Sequence, residues 1–382
     1  MKKVTILALH LGFGGVEKSI ASLANMLYKT KQYNVEIISV YKLYDKPSFE
    51  IASGVSITYL LDYGPNRKEF KEAILSKNIF KIFKEGIKGI KLLTLKYLKT
   101  KKAIKNINSD YIITTRYLHN KMVGKYANKN IIKIAEEHNN KLYDKKYTTN
   151  VIKSLKNIDY FAPVSKQLTQ FYTSKLIKYN NHHTKVVYIP NSIGDVPVIE
   201  SSSKNHNIIS VGRLEKEKGM EDLVRMFAQI LKDKKYADWT LSIIGDGSEM
   251  KNLKDVASSL NVQDKVIFTG FLEKASLEQE YIQSSIYVML SYNESFGLVL
   301  VEAGSYAVPV LAYESAKGPQ EIIQDGVNGY LIDGRNEDLM KSKLCQLMDN
   351  ETLRYNMGQA GKKMALEYTN DEVTRKWVEL LK

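Results

Sequence analysis

The sequence predicts an α/β protein made of two doubly wound domains that face each other across a cleft. Short apolar or β-branched runs alternate with helical patterns almost from end to end, which is typical of parallel sheets covered by helices. The length of 382 residues exceeds what one hydrophobic core normally organises. A polar stretch over 191–207 contains Gly, Pro and Ser, follows neither period, and marks the predicted boundary between the domains.

Seven candidate strands precede this boundary and six follow it. The first set is KVTILAL, NVEIISVY, SITYLL, YIITT, IIKIAEE, YFAPVS and KVVYIP. The second set is IISVGRL, WTLSIIG, KVIFTGF, IYVMLS, VPVLAY and GYLID. We therefore predict an N-terminal domain over 1–190, a linker over 191–207, a C-terminal domain over 208–365, and a C-terminal helix over 366–382 that packs back on the N-terminal domain.

The composition excludes several classes of protein. A single cysteine, Cys345, excludes an internal disulfide framework. His182 and His183 are adjacent in a polar segment, and no Cys/His cluster has the spacing of a zinc site, so we predict no metal. The start, MKKVTILALHLGFGG, has no small-residue cleavage motif and is interpreted as a strand. No apolar stretch approaches the roughly 20 residues needed to span a bilayer.

The formal net charge of +14 has a marked concentration in one segment. Residues 67–105 contain 13 Lys and Arg against three Glu, with Ile, Leu and Phe at helical spacings. Such a basic amphipathic segment can lie on anionic lipid, where each basic residue contributes on the order of 1 kcal/mol. The alternative is a pair of solvated helices packed on their own domain. Nucleic acid is not expected as a partner, because the aromatic and basic platforms of such binders are missing.

The loops that follow strands carry the candidate site residues, because ligands of parallel sheets bind outside the carboxyl ends of the strands. The first strand leads into LGFGGVEKS, where Gly12, Gly14 and Gly15 allow close approach of a ligand. A helix is expected to begin near Val16, with its N–H groups towards an anion. The spacing fails the G-x-G-x-x-G dinucleotide motif. A tight turn without a ligand is the alternative.

Two loops of the second half add cations and glycines. VGRLEKEKG places Arg213 and Lys218 five positions apart, and the two cations together can neutralise a diphosphate. Ordinary surface side chains among neighbouring glutamates are the alternative. GDGSEM contains Gly245 and Gly247 in a turn that opens a helix. This turn either faces a nucleotide base or only reverses the chain.

The stretch ESFGLVLVEAGS sets Glu294 and Glu302 eight positions apart around an apolar run. We predict a helix that begins near Ser295 or Phe296, with Glu302 some 12 Å along its rise. The run is apolar all round, so Glu302 is expected to be buried and to need a partner. Two separated carboxylates can accept hydrogen bonds from hydroxyls at the two ends of a nucleotide-sugar, with the cations and the helix N-terminus holding the phosphates between them.

Taken together, these segments resemble the GT-B retaining glycosyltransferases of family 4. The resemblance is carried by GGVEKS, VYIPNSI, VGRLEKEKG, GDGSEM, VIFTGF, ESFGLVLVE, VPVLAY and GPQEII with DGVNGYLI, in the expected order over almost the whole chain. It implies two Rossmann-like domains and transfer of a sugar from a nucleoside-diphosphate sugar to an acceptor hydroxyl, with retention at the anomeric carbon. It also implies no metal and no cofactor, which agrees with the lack of a D-x-D motif.

The resemblance assigns a role to each matching position. Arg213 and Lys218 would bind the diphosphate, Glu294 the transferred sugar, and Glu302 the ribose, so that protein cations stabilise the leaving group. The implied donor contacts are Gly14, Gly15, Arg213, Lys218, Gly245, Gly247, Glu294, Ser295, Phe296, Gly297, Leu298 and Glu302.

The family also places a histidine near the reacting centre. His138 in IIKIAEEHNN is the preferred candidate, and His119 in TTRYLHNK is the rival because it too follows a strand. A structural role for the histidine stays open. The predicted catalytic set is therefore His138, Glu294, Arg213 and Lys218.

Substrates, partners and location follow from the resemblance alone. The donor is expected to be a UDP-sugar, and the acceptor a glycan or lipid-linked acceptor of surface polysaccharide synthesis. The location is expected to be cytoplasmic, with residues 67–105 on the inner face of the membrane. Two other interpretations of the same scaffold are a sugar-nucleotide epimerase and a non-catalytic nucleotide-sugar-binding protein.

Overall fold

The computed structural model describes residues 1–382, which divide into two compact units. The N-terminal unit comprises Met1–Ile189 together with Thr374–Lys382, and the C-terminal unit comprises Pro190–Val373. Each unit has its own parallel sheet with helices between successive strands. The predicted fold class, two Rossmann-like α/β domains, is confirmed.

The N-terminal unit has a seven-stranded sheet in the order β3-β2-β1-β4-β5-β6-β7. Its strands are β1 (Lys2–Ala8), β2 (Tyr33–Tyr41), β3 (Ser56–Leu61), β4 (Tyr111–Thr114), β5 (Ile132–Glu137), β6 (Tyr160–Pro163) and β7 (Lys185–Val186). Its helices are α1 (Gly15–Lys29), α2 (Arg67–Leu75), α3 (Ile79–Asn106), α4 (Tyr117–Tyr126), α5 (Lys145–Ser154) and α6 (Lys166–Lys178).

The C-terminal unit has a six-stranded sheet in the order β10-β9-β8-β11-β12-β13. Its strands are β8 (Asn207–Val211), β9 (Thr240–Ile244), β10 (Val266–Gly270), β11 (Ile286–Met289), β12 (Val310–Tyr313) and β13 (Gly329–Ile332). The helices that follow are α7 (Met220–Ile230), α8 (Met250–Ser259), α9 (Lys274–Gln283), α10 (Leu298–Ser305), α11 (Glu337–Asp349), α12 (Glu351–Ala365) and α13 (Asn370–Leu380).

The central strands are apolar because helices cover both faces of each sheet. In β1, Val4, Ile6 and Leu7 have no exposed surface, and β11 is buried at all four positions. Side chains of successive strand residues point to opposite faces, so a run without polar alternation requires both faces to be covered. Helices in the crossover connections between successive strands provide this cover. The same connections make the strand pairs parallel.

Two sequence expectations change at their boundaries. KVVYIP forms a ladder only at Lys185–Val186, at the sheet edge, where one neighbouring strand supplies partners. The helix predicted from Ser295 or Phe296 begins at Leu298, because Gly297 adopts φ 91° and ends the preceding loop. Glu294 therefore lies outside the helix. Glu302 is only about 6 Å of helical rise from the first helical residue, Leu298, and not the 12 Å predicted.

The segment predicted as a linker lies within the C-terminal unit and is hydrogen-bonded to it. The amide of Ile193 donates to the carbonyl of Tyr368 at 3.0 Å, and that of Ser201 donates to Tyr306 at 2.8 Å. A chain without regular structure must find such partners when it is packed on a surface. The end of α13 belongs to the N-terminal unit, where Tyr111 donates to the carbonyl of Leu381 at 2.5 Å.

None of the helices combines the length and the apolar character that crossing a bilayer requires. The longest, α3, has 28 residues and carries a lysine at nearly every turn.

Candidate functional site

The candidate site residues of the C-terminal unit follow adjacent strands at the centre of its sheet. β8 pairs with β9 on one side and β11 on the other, so the connections leave this point in opposite directions. Ligands of such sheets bind outside the carboxyl ends of the strands at this point, where the loops after β8 and β11 lie side by side. These loops carry Arg213, Lys218 and Glu294, three of the residues that the sequence predicts to act together.

The structure brings Lys218 and Glu294 into direct contact. The Lys218 Nζ lies 2.6 Å from the Glu294 Oε2, and each side chain is 19% exposed. The pair joins residues 76 positions apart in the chain, from the two loops that flank the switch in strand order. A lysine and a carboxylate in one partly desolvated crevice form a neutral pair that can offer a cation to phosphate and an acceptor to a hydroxyl.

A glycine at the end of the β8 loop makes this contact possible. Gly219 has φ 66°, and a Cβ on it would stand 2.2 Å from the carbonyl oxygen of Leu290. The neighbouring amide of Tyr292 donates to the carbonyl of Glu217 at 2.8 Å, so the two loops are also bonded through their backbones. Both the left-handed conformation and the close approach require a residue without a side chain.

Arg213 lies on the same loop but has a different partner. Its Nη2 is 3.1 Å from Oε1 of Glu217, four positions along, and its side chain is 68% exposed. An exposed ion pair of this kind contributes little to stability, so the guanidinium can exchange Glu217 for another anion at small cost. The structure thus places Arg213 at the crevice edge without joining it to the Lys218–Glu294 pair.

The Glu294 loop is held by its backbone. The amide of Glu294 donates to the carbonyl of Ala316 at 2.9 Å, and the amide of Gly318 donates to the Glu294 carbonyl at 3.1 Å. The side chain also accepts from the amide of Ser295 at 3.3 Å. A Cβ on Gly318 would meet the Phe296 backbone at 2.6 Å, which explains the glycine at that position. These backbone hydrogen bonds therefore fix the position of the Glu294 backbone, from which the carboxylate extends.

The N-terminus of α10 follows directly. Gly297 precedes the helix and supplies no side-chain cap, so N–H groups of the first turn are left for another acceptor. The amide of Leu300 is already used, because it donates to the Gly297 carbonyl at 2.8 Å. Phe296 is buried, and its ring packs edge-on against Tyr368 at 5.3 Å between centroids. Its side chain therefore serves the core, and only its backbone is available to a ligand.

Glu302 in α10 is half-buried and not fully buried as expected, and it has the partner that the sequence analysis requires. The hydroxyl of Tyr281 donates to its Oε2 at 3.4 Å. Tyr281 is fully buried, and burial raises the pKa of its hydroxyl well above the ordinary value, so the proton stays on the oxygen. The remaining exposed surface of the carboxylate can accept from a ligand hydroxyl.

The packing of the β8 and β9 loops requires glycine at positions 245 and 247. A Cβ on Gly245, at φ 134°, would stand 1.9 Å from the carbonyl oxygen of Gly212, and one on Gly247 would stand 2.3 Å from that of Leu214. Leu214 also donates its amide to the Asp246 carbonyl at 2.9 Å. The two glycines therefore allow the β8 and β9 loops to pack, whatever contact with a donor they make in addition.

One residue of this region has no signal in the sequence. Arg335 donates from Nη1 to the carbonyls of Leu290 and Ser291 at 3.1 and 3.3 Å. Its Nη2 pairs with Asp222 at 2.9 Å, and its guanidinium lies 3.7 Å from the ring centroid of Tyr292. Arg335 therefore supports the β11 loop just before Glu294. It stands in an ordinary polar stretch, GRNED, that resembles any surface turn.

The N-terminal unit places a buried ion pair at its own switch in strand order, where β1 adjoins β4. Glu17, in the first turn of α1, is 5% exposed, and Arg116 after β4 reaches its Oε1 at 3.1 Å. The Nε2 of His10 lies 3.6 Å from the same oxygen, and burial lowers the pKa of His10. A Cβ on Gly14 would meet Glu17 at 2.1 Å, whereas one on Gly15 would meet nothing within 4 Å.

His138 lies just past β5 on a loop that a buried carboxylate organises. Glu137 accepts from the amide of Asn139 at 2.8 Å and from the hydroxyl of Tyr147 at 2.9 Å. His138 itself is 8% exposed, and its Nε2 is 3.7 Å from Oε1 of Glu136, beyond hydrogen-bond range. Both ring nitrogens are buried without a hydrogen-bond partner in the structure. A buried imidazole without a hydrogen bond can form one with a ligand.

His119, the rival histidine, lies in α4 and is 2% exposed. Burial, with the charges of Lys96 and Arg116 adding to it, lowers the pKa of His119 to about 3, so the ring is neutral near pH 7. This environment is that of a core histidine. His138 lies just past the carboxyl end of β5, and its role at the reacting centre stays a prediction.

Comparisons with known proteins agree with this arrangement. Residues 195–364 match the model of glycosyl transferases group 1. An uncharacterised glycosyltransferase of Haemophilus influenzae is 28% identical over 393 residues and covers all of both chains. The amylovoran biosynthesis glycosyltransferase AmsD of Erwinia amylovora is 30% identical over 178 residues, which are 47% of this chain and 48% of that one. The crystal structure of a mutant S. aureus TarM, in complex with fondaparinux, α-GlcNAc-glycerol and UDP, superposes with a TM-score of 0.76 at 15% identity over 100% of this chain and 99% of that one.

The two parallel sheets and the structural neighbours define the GT-B fold. The family model matched by residues 195–364, glycosyl transferases group 1, and the relatives support a glycosyltransferase of that fold. The resemblance seen in the sequence is confirmed at this level.

Replacing Gly219 tests the contact between the two loops. Gly219→Ala is expected to lower the free energy of unfolding by about 2 to 3 kcal/mol, because the methyl group would meet the Leu290 carbonyl in addition to the strain of a positive φ. Gly326→Ala is the matched control, with φ 73° and nothing within 4 Å, and should cost about 1 kcal/mol. Urea unfolding followed by tryptophan fluorescence measures both. Equal losses would show that the close approach does not matter.

The buried Glu137 predicts a pH dependence. Burial raises the pKa of its carboxyl above the ordinary 4.5. A carboxyl with a raised folded-state pKa stabilises most below the unfolded value, and this contribution is lost as the pH rises through the folded pKa. The Tm of Glu137→Gln should therefore improve relative to wild type as the pH rises from the ordinary pKa of 4.5 through the raised pKa of the folded state. A Tm difference that is constant over this range in thermal unfolding would contradict the assignment.

Proposed function

We propose that the protein is a retaining, metal-independent glycosyltransferase of family 4. It moves a sugar from a nucleoside-diphosphate sugar to a hydroxyl of a glycan or lipid-linked acceptor. The single observation that carries the proposal is the 2.6 Å pair of Lys218 and Glu294 at the switch in strand order of the C-terminal unit. It supplies a cation for the leaving group and an acceptor for sugar hydroxyls at one point.

The reaction develops negative charge on the diphosphate as the sugar departs. Lys218, Arg213 and the uncapped N-terminus of α10 can meet that charge without a divalent ion. A donor phosphate that binds Lys218 takes the place of one oxygen of Glu294. The freed oxygen then accepts from a sugar hydroxyl, so one exchange of partners creates both contacts. Arg213 reaches the same phosphate by giving up its exposed contact with Glu217.

Glu302 is proposed to bind the ribose, with Tyr281 keeping its carboxylate oriented. Ser295, Phe296, Gly297 and Leu298 are proposed to face donor oxygens through their backbones, and Gly245 and Gly247 to line the base. This assignment spaces the ribose carboxylate about one helical turn beyond the phosphate site.

The N-terminal unit is proposed to bring the acceptor and to contribute His138 to the reacting centre. Its unpartnered ring nitrogens, held on the Glu137 network, can donate to or accept from a sugar hydroxyl. Gly14 and Gly15 are proposed to line the phosphates and the acceptor. No side chain is needed as a nucleophile when the leaving phosphate itself takes the acceptor proton.

The donor is proposed to be a UDP-sugar, which the UDP bound in the TarM crystal structure supports. The acceptor is proposed to belong to surface polysaccharide synthesis, in line with the amylovoran role of AmsD. A cytoplasmic location, at the inner face of the membrane, is part of the same proposal.

The test is to remove the proposed sugar contact. A panel of nucleotide-sugars is first screened by thermal shift, since a tight donor raises the Tm. With the donor found, Glu294→Ala should lower turnover at least about 100-fold, because an acceptor at the reacting sugar is lost. Glu221→Ala removes a carboxylate from a surface pair with Arg225 and serves as the control.

A loss below about threefold in Glu294→Ala would contradict the sugar contact. The products also decide between enzymes. Nucleoside diphosphate with a glycosylated acceptor supports transfer. An epimerised donor without released diphosphate would identify an epimerase, and donor binding without any product would identify a binding protein.

The protein cations are tested separately. Lys218→Ala and Arg213→Ala should each raise the activation free energy by about 2 to 4 kcal/mol, because each removes a charge that stabilises the leaving diphosphate. Arg225→Ala, a surface arginine paired with Glu221, should leave the rate unchanged. Initial rates with EDTA and with added Mg²⁺ should agree. Rates that collapse in EDTA, or that ignore both substitutions, would overturn the metal-free mechanism.

A further inference from the structure

The turn between α2 and α3 exposes an unusually apolar tip. It consists of Leu75, Ile79, Phe80 and Phe83, with exposed fractions of 70%, 79%, 88% and 70%. The turn is well formed, since the Asn78 side chain accepts from the amide of Lys81 and caps α3. Four large apolar side chains in water at one place exceed the scattered exposure usual on a protein surface.

The apolar surface continues along α3. Ile87, Ile90, Leu93 and Tyr97 are all exposed, and together with Phe83 they recur at intervals of three and four residues. Such spacing places them on one side of the helix. With the tip, they form an apolar row that runs over about five helical turns.

The same side of α3 becomes packed only near the end of the helix, where the spacing continues to Thr100 and Ile104. Thr100 and Ile104 are its fully buried residues, and Lys99 donates to the carbonyl of Leu60 at 2.9 Å, which ties the helix to β3. Near its end, the row reaches a cavity of about 380 Å³ between α3 and α4. Leu93 and Tyr97 belong to both the row and the cavity. The row therefore continues the buried side of α3 towards the turn, but its own side chains are exposed, whereas the alternative of helices packed on their own domain requires them to be covered.

Basic side chains accompany the row. Lys81, Lys84, Lys88 and Lys91 recur at the same three- and four-residue spacing and are all exposed. Lys88 has an acidic neighbour, Glu85, at 3.7 Å. Across residues 67–105, 13 basic against three acidic residues leave an excess of ten positive charges.

This charge decides between two occupants of the apolar row. A second copy of the chain would bring two such excesses of positive charge together, which is repulsive at the ionic strength of a cell. An anionic lipid surface offers hydrocarbon to the row and phosphate to the lysines at the same time. A helix of this kind lies in the interface and does not cross the bilayer, in keeping with its many charges.

We propose that the α2–α3 surface, made of the apolar tip, the apolar row and the flanking lysines, docks the N-terminal unit on an anionic lipid bilayer. Phe80 and Phe83 enter the boundary between headgroups and acyl chains, and the lysines bind lipid phosphates. The inference rests on the proposed location at a membrane but not on the proposed reaction, since it involves none of the donor residues.

The test is flotation of the full-length protein with vesicles, without donor or acceptor. Vesicles of phosphatidylcholine with about 30% phosphatidylglycerol should bind it, and phosphatidylcholine alone should not. Binding should weaken at about 0.5 M salt, because screening shortens the reach of the lysines. Equal binding to both vesicle types, or to neither, would overturn the proposal, while the reaction assays would stand unaffected.

The apolar contribution is tested with a double variant. Phe80→Ser with Phe83→Ser should lower the partition coefficient at least about tenfold, because both rings lose their place in the interface. Val198→Ser with Ile199→Ser is the matched control, at 95% and 64% exposure in the C-terminal unit. Both double variants should keep the wild-type Tm, since neither removes a buried side chain. Unchanged binding by the phenylalanine variant would reject the role of the tip.

The charge contribution needs its own pair. Lys81, Lys84 and Lys91 changed to Gln should weaken binding by roughly 10- to 100-fold. The control changes Lys232, Lys251 and Lys254 to Gln, which removes the same charge from exposed positions of the C-terminal unit. Equal weakening by both sets would show a net-charge effect without a docking surface. The row would instead belong to a contact with a second copy if sedimentation showed a dimer, the phenylalanine variant were monomeric, and no vesicle binding were seen.

Discussion

The C-terminal unit depends on one close approach, that of the loops after β8 and β11. Gly219 lies against the Leu290 carbonyl, and the contact of Lys218 with Glu294 follows from that nearness. Every other proposed donor contact is arranged around it, because α10 begins where the β11 loop ends. The sheet supplies the geometry, since β8 and β11 are adjacent strands and the loops that follow them leave the same edge of the sheet side by side.

In the N-terminal unit, the switch in strand order between β1 and β4 carries a different arrangement. Glu17 is buried there with Arg116 as its partner, and Glu137 is buried two strands away with Asn139 and Tyr147. A buried carboxylate is expensive unless it is satisfied, so each of these groups fixes the backbone around it. His138 lies on this edge of the sheet, buried and with both ring nitrogens unpartnered.

The fold and the order of the loops could be predicted from the sequence, because apolar runs and glycine turns report local conformation directly. The meeting of Lys218 with Glu294 could be expected only from the resemblance, since 76 residues separate them. Arg335 could not be predicted, because its role depends on carbonyls and a ring supplied by another loop. The predicted start of α10 is wrong by two to three residues. Gly297 is left-handed and precedes the helix, but a glycine in the sequence looks the same whether it precedes a helix or lies inside one.

The way the Glu294 loop is anchored bears on how such an enzyme can diversify. Its attachments to Ala316 and Gly318 run entirely through main-chain atoms, which every amino acid except proline can supply. The side chain at position 294 can therefore change while the backbone beneath it keeps its place. Laboratory selection for altered specificity can begin at this position with little risk to folding.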